Sequence, residues 1–225
     1  MKKPKPGQMA DLQFDFEKHE YTVDGVLVPS VTQLLSEFGI QDFSGIPFDR
    51  LEYKRVLGTA VHLACQYLDE QVLDESSLSK EIVPYVNAYK KFCEITGFDP
   101  RHTELKMYSK KWRCAGTLDR QGLFEWKGKE LESIIDLKCT WELYPSTAAQ
   151  TAGYAILFEE NFPDIKIKAR FGLQLNPNGN YEIEEYKDPQ DFQDFKACTI
   201  LHWRKRNFYK TSKGVHHVGN NGINS

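Results

Sequence analysis

Residues 116–138 read GTLDRQGLFEWKGKELESIIDLK, with Lys127–Gly128 as the only glycine-containing polar break between two strand-like runs. A turn centred there makes a hairpin and pairs residues symmetrically about it, which sets Asp119 opposite Asp136. Side chains two apart in a strand share a face, so Lys138 joins the two aspartates while Ile135 and Leu137 point the other way. Directly opposed side chains have Cβ atoms about 5 Å apart, and at an effective dielectric of about 20 two carboxylates there repel by about 3 kcal/mol. That is a large part of a domain's stability of roughly 5–15 kcal/mol. A divalent cation shared by both carboxylates removes the repulsion, because hard ions such as magnesium or manganese take carboxylate and carbonyl oxygens. The plainer alternatives are a slipped register, or a surface ion pair of Asp136 with Lys138 on an edge strand.

The remaining sequence supplies elements that can build on such a hairpin. FDFEKHEYTVDGVLVPS alternates apolar and polar residues around a turn, as a hairpin does. Ser30 and Gln33 then form an S-x-x-Q capping box opening a helix over VTQLLSEF. Further helices are expected from about Asp49 to Glu70 and from about Ser79 to Thr96, the latter ended by Gly97. The strand candidates TELKMYS, RCAGTLDRQGLFE and ELESIIDLKC precede a helix over STAAQTAGYAILFEE. Strands KIKARFGLQL and YEIEEYK follow around the turn NPNGN, and PQDFQDFKACTILHWRKRNF closes the chain as an amphipathic helix. Helices, a β meander, a helix, two strands and a helix make an α/β or α+β core with helical flanks.

A chain of 225 residues, with 40% hydrophobic and 27% charged residues, buries one core without covalent staples. Neither an internal repeat nor a linker divides it, so one domain over 11–210 is expected, between disordered polar tails at 1–10 and 211–225. His216 and His217 fall in the second tail and are poor ligand candidates. The five cysteines are odd in number and far apart, with no C-x-x-C pair to suggest zinc, an iron–sulfur cluster or a redox dithiol, and read as reduced thiols, mostly in the core. No apolar run reaches the ~18 residues of a membrane span and the first ten residues lack a secretory signal, so a cytoplasmic protein without membrane contact is expected. The net charge of −3 carries no general nucleic-acid footprint. Three local basic clusters stand out instead: KMYSKKWR (106–113), KIKAR (166–170) and RKRNFYK (204–210), each of which alone reads as a solvated face.

GTLD, DLK and the helix segment QTAGY together resemble the PD-(D/E)xK nuclease superfamily in its RecB-like exonuclease branch. Gln150 and Tyr154 match the family's Q-x-x-x-Y, GTAVH matches its G-x-x-x-H segment, and VPSVTQLL is similar to the opening of phage and mitochondrial genome maintenance exonucleases. The resemblance spans roughly residues 26 to 160. It implies a restriction-endonuclease-like core, a central mixed β-sheet flanked by helices with an N-terminal helical region. It also implies that His62, Asp119, Asp136 and the Leu137 carbonyl bind one or two magnesium or manganese ions. Lys138 would orient the attacking water, with some base character, while Gln150 and Tyr154 support the site and the nucleic-acid strand. Glu104 is an additional acidic candidate, and no counterpart exists for the iron–sulfur cysteines of some branches. By itself His62 reads as a core histidine donating to a carbonyl; in the GTAVH position it reads as a ligand. Trp112, Trp141 and Tyr144 are further candidate groups for stacking on bases.

Phosphodiester hydrolysis needs an in-line water and charge stabilisation at phosphoryl oxygens, and acidic ligands beside a lysine on a rigid hairpin suit both. The expected activity is therefore that of a metal-dependent deoxyribonuclease acting on DNA ends or single strands in replication, repair or recombination. If phage-encoded, it would work in the cytoplasm of the bacterial host. A structure-specific endonuclease, a non-cleaving nucleic-acid-binding module and a metal-stabilised structural protein are the alternatives. A homo-oligomer or a recombination partner protein is compatible with the resemblance, and strand polarity is not encoded in these motifs.

Overall fold

In the computed structural model, residues 11–42 and 44–214 are described, with side chains to residue 208. Asp24–Gly25 makes a tight turn with φ of 50° and 74°, so the segment expected as one hairpin reverses twice. It forms a three-stranded meander, β1 (Leu12–Asp15), β2 (Glu20–Val23) and β3 (Val26–Val28). The Asp-Gly pair is a strong turn signal because both residues tolerate positive φ. Asp15 closes the other reversal by accepting the Glu17 and Lys18 N–H groups.

Ser30 caps α1 (Val31–Glu37) with the reciprocal box to Gln33. Helices α2 (Phe48–Asp69) and α3 (Val83–Thr96) follow, α3 ending at Gly97 with φ 64°. It begins four residues later than its periodicity suggests. Pro84 occupies its first turn, where a missing N–H costs nothing, and the Ile82 and Val83 N–H groups instead turn back to Ser79.

The main sheet runs in the order β4 (Asp99–Ser109), β5 (Cys114–Trp126), β6 (Lys129–Lys138), β7 (Ala169–Leu175), β8 (Tyr181–Glu185). The β6–β7 pair is parallel and the others are antiparallel. Helix α4 (Ser146–Asn161) connects β6 to β7, as a parallel pair requires, and α5 (Gln190–Gly214) closes the fold. This is the mixed, helix-flanked central sheet of a restriction-endonuclease-like core.

Two hydrophobic clusters hold the layers together. Helices α2 and α3 pack on one face through Val61, Tyr89 and Phe92 against Phe124, Ile135 and Phe171. Helices α1, α4 and α5 cover the other through Leu34, Leu157, Phe158 and Phe195 against Leu118 and Ile134. The small residues of α4 serve this packing: a Cβ on Gly153 would lie 2.8 Å from Val31 and 2.9 Å from Phe195. All five cysteines are free thiols, four of them buried. No helix among the described residues is long and apolar enough to cross a membrane. The expected tails, 1–10 and most of 211–225 with His216 and His217, lie outside the described residues.

Candidate metal centre

Lys127 and Gly128 take φ of 54° and 76°, and the β5–β6 ladder runs from Trp126↔Lys129 to Arg120↔Ile135. That register puts Asp119 and Asp136 at the next position, where the ladder ends. Instead of continuing the backbone pairing, the Asp119 carboxylate accepts the Leu137 N–H at 2.7 Å. The Asp119 side chain therefore replaces a main-chain acceptor.

The face alternation of β5 also breaks there. Leu118 belongs to the α4 side and Arg120, two residues on, contacts Asp69 of α2. Across the β4–β5 ladder, Glu104 sits between the pairs Thr103↔Arg120 and Leu105↔Leu118, with φ of 46°. A non-glycine residue in the left-handed region costs of order 1–3 kcal/mol and persists only where its surroundings hold it. Here Glu104 is held by Arg120 Nη1 at 3.0 Å and by His62 Nδ1 at 3.4 Å.

His62 projects from α2 between these acids. Its Nδ1 is 3.6 Å from Asp119 Oδ1, and its Nε2 is 3.1 Å from the Leu137 carbonyl oxygen. Burial disfavours charge on the ring, but Asp119 and Glu104 outweigh it and raise the pKa to about 9. As an imidazolium the ring donates from both nitrogens. Burial likewise raises Asp119 to about 7, with Asp136 and Glu104 adding to the rise against the pull of His62. Glu104 goes the other way: burial pushes it up, but His62 and Arg120 hold it below the ordinary range.

Asp136 is fully buried and receives the Gln150 amide at 2.9 Å, and its Oδ2 lies 2.6 Å from Lys138 Nζ. That ion pair engages the second oxygen of the Asp136 carboxylate. Lys138 also donates to Gln150 Oε1 at 3.3 Å, and the Gln150 amide reaches Tyr154 Oη at 3.2 Å. Burial lowers the Lys138 pKa, but Asp136 and Asp119 overcome this and raise it.

The repulsion expected between the two aspartates is thus relieved from within the chain, by Lys138 on one side and His62 on the other. His62, Glu104 and Asp119 each offer one ligand atom within 4.8 Å of the others, so this cluster could hold a metal ion. Asp136 is not in that closest set, because its oxygens turn toward Lys138 and Gln150, whereas Glu104 is.

His62, Glu104, Asp119 and Lys138 line a cleft of about 670 Å³ between α2, the N-terminal meander and the β4–β5 edge. Tyr154, only 5% exposed, forms part of its wall; a Cβ on Gly116 would come within 2.9 Å of its ring. It is packed as a wall and presents no open face for a base. Trp141 is 83% exposed, beside Lys54 at 5.9 Å, and Trp112 packs against the α4 side.

Arg120 and Asp69 escape a motif search. Arg120 is fully buried, paired to Asp69 Oδ2 at 2.6 Å, and donates to the Asp119 carbonyl at 2.7 Å and the His62 carbonyl at 3.4 Å. It touches the backbone of two members of the cluster and the side chain of a third. Its signal is present in sequence: Arg120 shares parity with Gly122 and Phe124, on the face packed against α2 and α3.

No protein-family model matches the sequence, and no curated protein is similar to it. Among solved structures, a candidate exonuclease from Eubacterium rectale superposes with a TM-score of 0.43 at 10% identity, over 76% of this chain and 77% of that one. The protein named SSO0001 superposes with a TM-score of 0.31 at 14% identity, over 76% and 83% of the two chains.

Proposed function

We propose that the protein is a divalent-metal-dependent nuclease of the RecB-like branch of the PD-(D/E)xK superfamily. In this reading it hydrolyses DNA phosphodiester bonds as an exonuclease at ends or in single strands. The observation that carries the reading is the convergence of His62, Glu104, Asp119 and the Leu137 carbonyl beside the Asp136–Lys138–Gln150 cluster. Oxygen donors with one imidazole suit magnesium or manganese. The ion would supply Lewis acidity at the phosphoryl group and lower the pKa of water.

The chain's own residues do the rest. Asp119 and His62 each shed a proton on ligation, so binding is coupled to proton release. Lys138, held 2.6 Å from Asp136 and bonded to Gln150, would act as a fixed donor that orients the nucleophile or a phosphoryl oxygen. This sharpens the mixed positioning-and-base role expected from sequence toward positioning. Gln150 bridges Lys138, Asp136 and Tyr154 and holds the lysine against its carboxylate.

The test is digestion of 5′- and 3′-end-labelled single- and double-stranded DNA with magnesium or manganese, against an EDTA control. EDTA-sensitive cleavage is expected, reduced about 10²–10³-fold or more in Lys138→Ala and Asp136→Asn, the scale of losing one preorganised charge contact. Wild-type-like cleavage by either folded variant would sink the assignment. Binding without cleavage at any divalent concentration would indicate a nucleic-acid-binding module instead.

A further inference from the structure

Of the three basic clusters in the sequence, KIKAR dissolves in the fold: Arg170 turns inward to Asp191, and Lys166 pairs with Glu159. The other two meet. The β4–β5 turn presents Lys110, Lys111 and Arg113, and α5 presents Arg204 and Arg206. The segments join where Trp203 Nε1 donates to the Trp112 carbonyl at 3.1 Å and the Arg113 guanidinium lies 4.0 Å from the Trp203 ring centre. Arg206 approaches the same ring at 5.4 Å. All five cations are exposed, and none makes an ion pair among the described residues. In a chain of net charge −3 this is a local concentration of unneutralised positive charge.

The turn is held rigidly. Glu160 accepts the Lys110 and Lys111 backbone N–H groups at 2.9 and 3.2 Å, and Ser109 Oγ receives the Trp112 N–H at 2.9 Å. Glu160 is thus occupied with backbone, and the side chains of Lys110 and Lys111 are exposed. Arg113 adopts φ of 51°, and its guanidinium lies against Trp203. The tryptophans are consequently covered by cations, so the patch offers charge where an apolar surface would otherwise lie.

One member of the patch, Arg206, borders a depression that shares a residue with the cleft. Gln33 lines both the metal-centre cleft and a shallow depression formed with Glu37, His202 and Arg206. Glu20 also borders that depression, and Glu37 is engaged by His202 and Lys205.

We propose that this surface, Lys110, Lys111 and Arg113 with Arg204 and Arg206, binds the phosphodiester backbone of the DNA strand outside the cleft. The proposal rests on the nuclease reading and adds to it a second, sequence-independent contact that retains the substrate while the end is processed. Cations on a rigid surface bind phosphates by releasing counterions, so each contact shows in the salt dependence of affinity.

The experiment measures binding of labelled 30-nucleotide single strands and duplexes to the full chain in EDTA, over a salt series, beside cleavage of long DNA and of a trinucleotide with manganese. Two double variants, Lys110→Gln/Lys111→Gln and Arg204→Gln/Arg206→Gln, alter only exposed side chains; circular dichroism and urea midpoints check their folds. Each is expected to weaken binding about 3–10-fold near 0.1 M salt. Each should also flatten the slope of log affinity against log salt by about 0.7 per lost contact on single strands. Trinucleotide cleavage should be unchanged and long-DNA cleavage reduced. Wild-type affinity and slope in both variants, with cleavage intact in the wild type, would overturn the surface and leave the nuclease reading standing. No binding or cleavage by the wild-type chain would overturn both. Patch-dependent binding to phosphatidylserine vesicles, without any to DNA, would also overturn the proposal.

Discussion

Two buried arginines sit on neighbouring parts of one sheet and answer the same physical problem differently. Arg120 on β5 is fully buried and spends its guanidinium on Asp69, Glu104 and the carbonyls of His62 and Asp119. Arg170 on β7 is also buried, and donates to the Ala148 and Asp188 carbonyls and to Asp191 Oδ2 at 2.6 Å. Both satisfy the rule that a buried charge needs a partner and hydrogen bonds. Arg170 fastens β7 to α4 and α5. Arg120 fastens residues that the nuclease reading uses, including a strained one. A buried ion pair thus locks the helical layer in one place and sets the geometry of a candidate centre in the other.

The largest effect should come from Arg120→Met. It leaves Asp69, whose side chain is 6% exposed, without its cation and Glu104 with His62 alone, and breaking a buried pair in this way costs about 3–5 kcal/mol. Urea unfolding should register that loss. Arg120→Lys keeps a charge but loses the planar fork, so it should fold and still bind manganese at least tenfold more weakly by calorimetry. Wild-type manganese affinity in Arg120→Lys would erase the distinction between the two arginines.

Arg170→Met should cost less, about 2–3 kcal/mol, because the carboxylate it strands on Asp191 is 14% exposed and can be partly rehydrated. Its manganese affinity should equal that of the wild type once the folded fraction is accounted for. A matching fall in ion affinity would mean that the layer and the centre are one mechanical unit.

The two regions also differ in legibility. The hairpin register could be read because Lys127–Gly128 is the only place the chain can turn, and its pairs are observed from Trp126↔Lys129 to Arg120↔Ile135. The element order, the Ser30–Gln33 capping box and the Gly97 helix stop were legible for the same reason: each is local chemistry. What could not be read is the break in alternation at Asp119, which depends on a glutamate held at φ 46°. Nothing local favours that conformation for Glu104; Arg120 and His62, distant in sequence, impose it. The same irregularity accompanies the entry of Glu104 into the closest ligand set. Arg170 was read as part of a basic cluster because a surface and a buried arginine look alike until a partner such as Asp191 is found.

A third contrast is pH. His62 rises from 6.5 to about 9 on folding, so it contributes stability that is complete below pH 6.5 and lost as pH rises through 9. Asp119, raised from 3.8 to about 7, acts in the same direction at lower pH: its contribution is present below 3.8 and is lost as pH rises through 7. In EDTA the wild-type chain should therefore lose stability as pH rises from 3.8 to about 9, with the limb above pH 6.5 coming mainly from His62. His62→Gln should flatten that limb by on the order of 2 kcal/mol, discounted for a ring that is 23% exposed. Arg170→Met should keep the slope intact while lowering the whole curve. A slope that survives His62→Gln would place the titrating group elsewhere.

The smallest effect should be at Glu37, whose ion pairs join α1 to α5 at the surface. Its carboxylate meets His202 Nδ1 and Lys205 Nζ, the latter at 2.9 Å, with a side chain 27% exposed. The hydrogen bond to His202, and then that to Lys205, holds its pKa below the usual 4.5 against a modest opposing effect of burial. A depressed carboxylate contributes stability above its unfolded pKa and loses it as pH falls through the folded one, so Glu37→Gln should matter at pH 7 and vanish at pH 3. Exposed pairs are worth little, and about 0.5 kcal/mol is expected, shrinking further in 1 M salt. The chemistry resembles Arg120 with Asp69, yet Glu37 and Lys205 keep contact with water where Arg120 and Asp69 have little or none. A loss above 2 kcal/mol from Glu37→Gln would show that desolvation of the partner is not what separates these pairs, and the ranking from Arg120 through Arg170 would lose its physical basis.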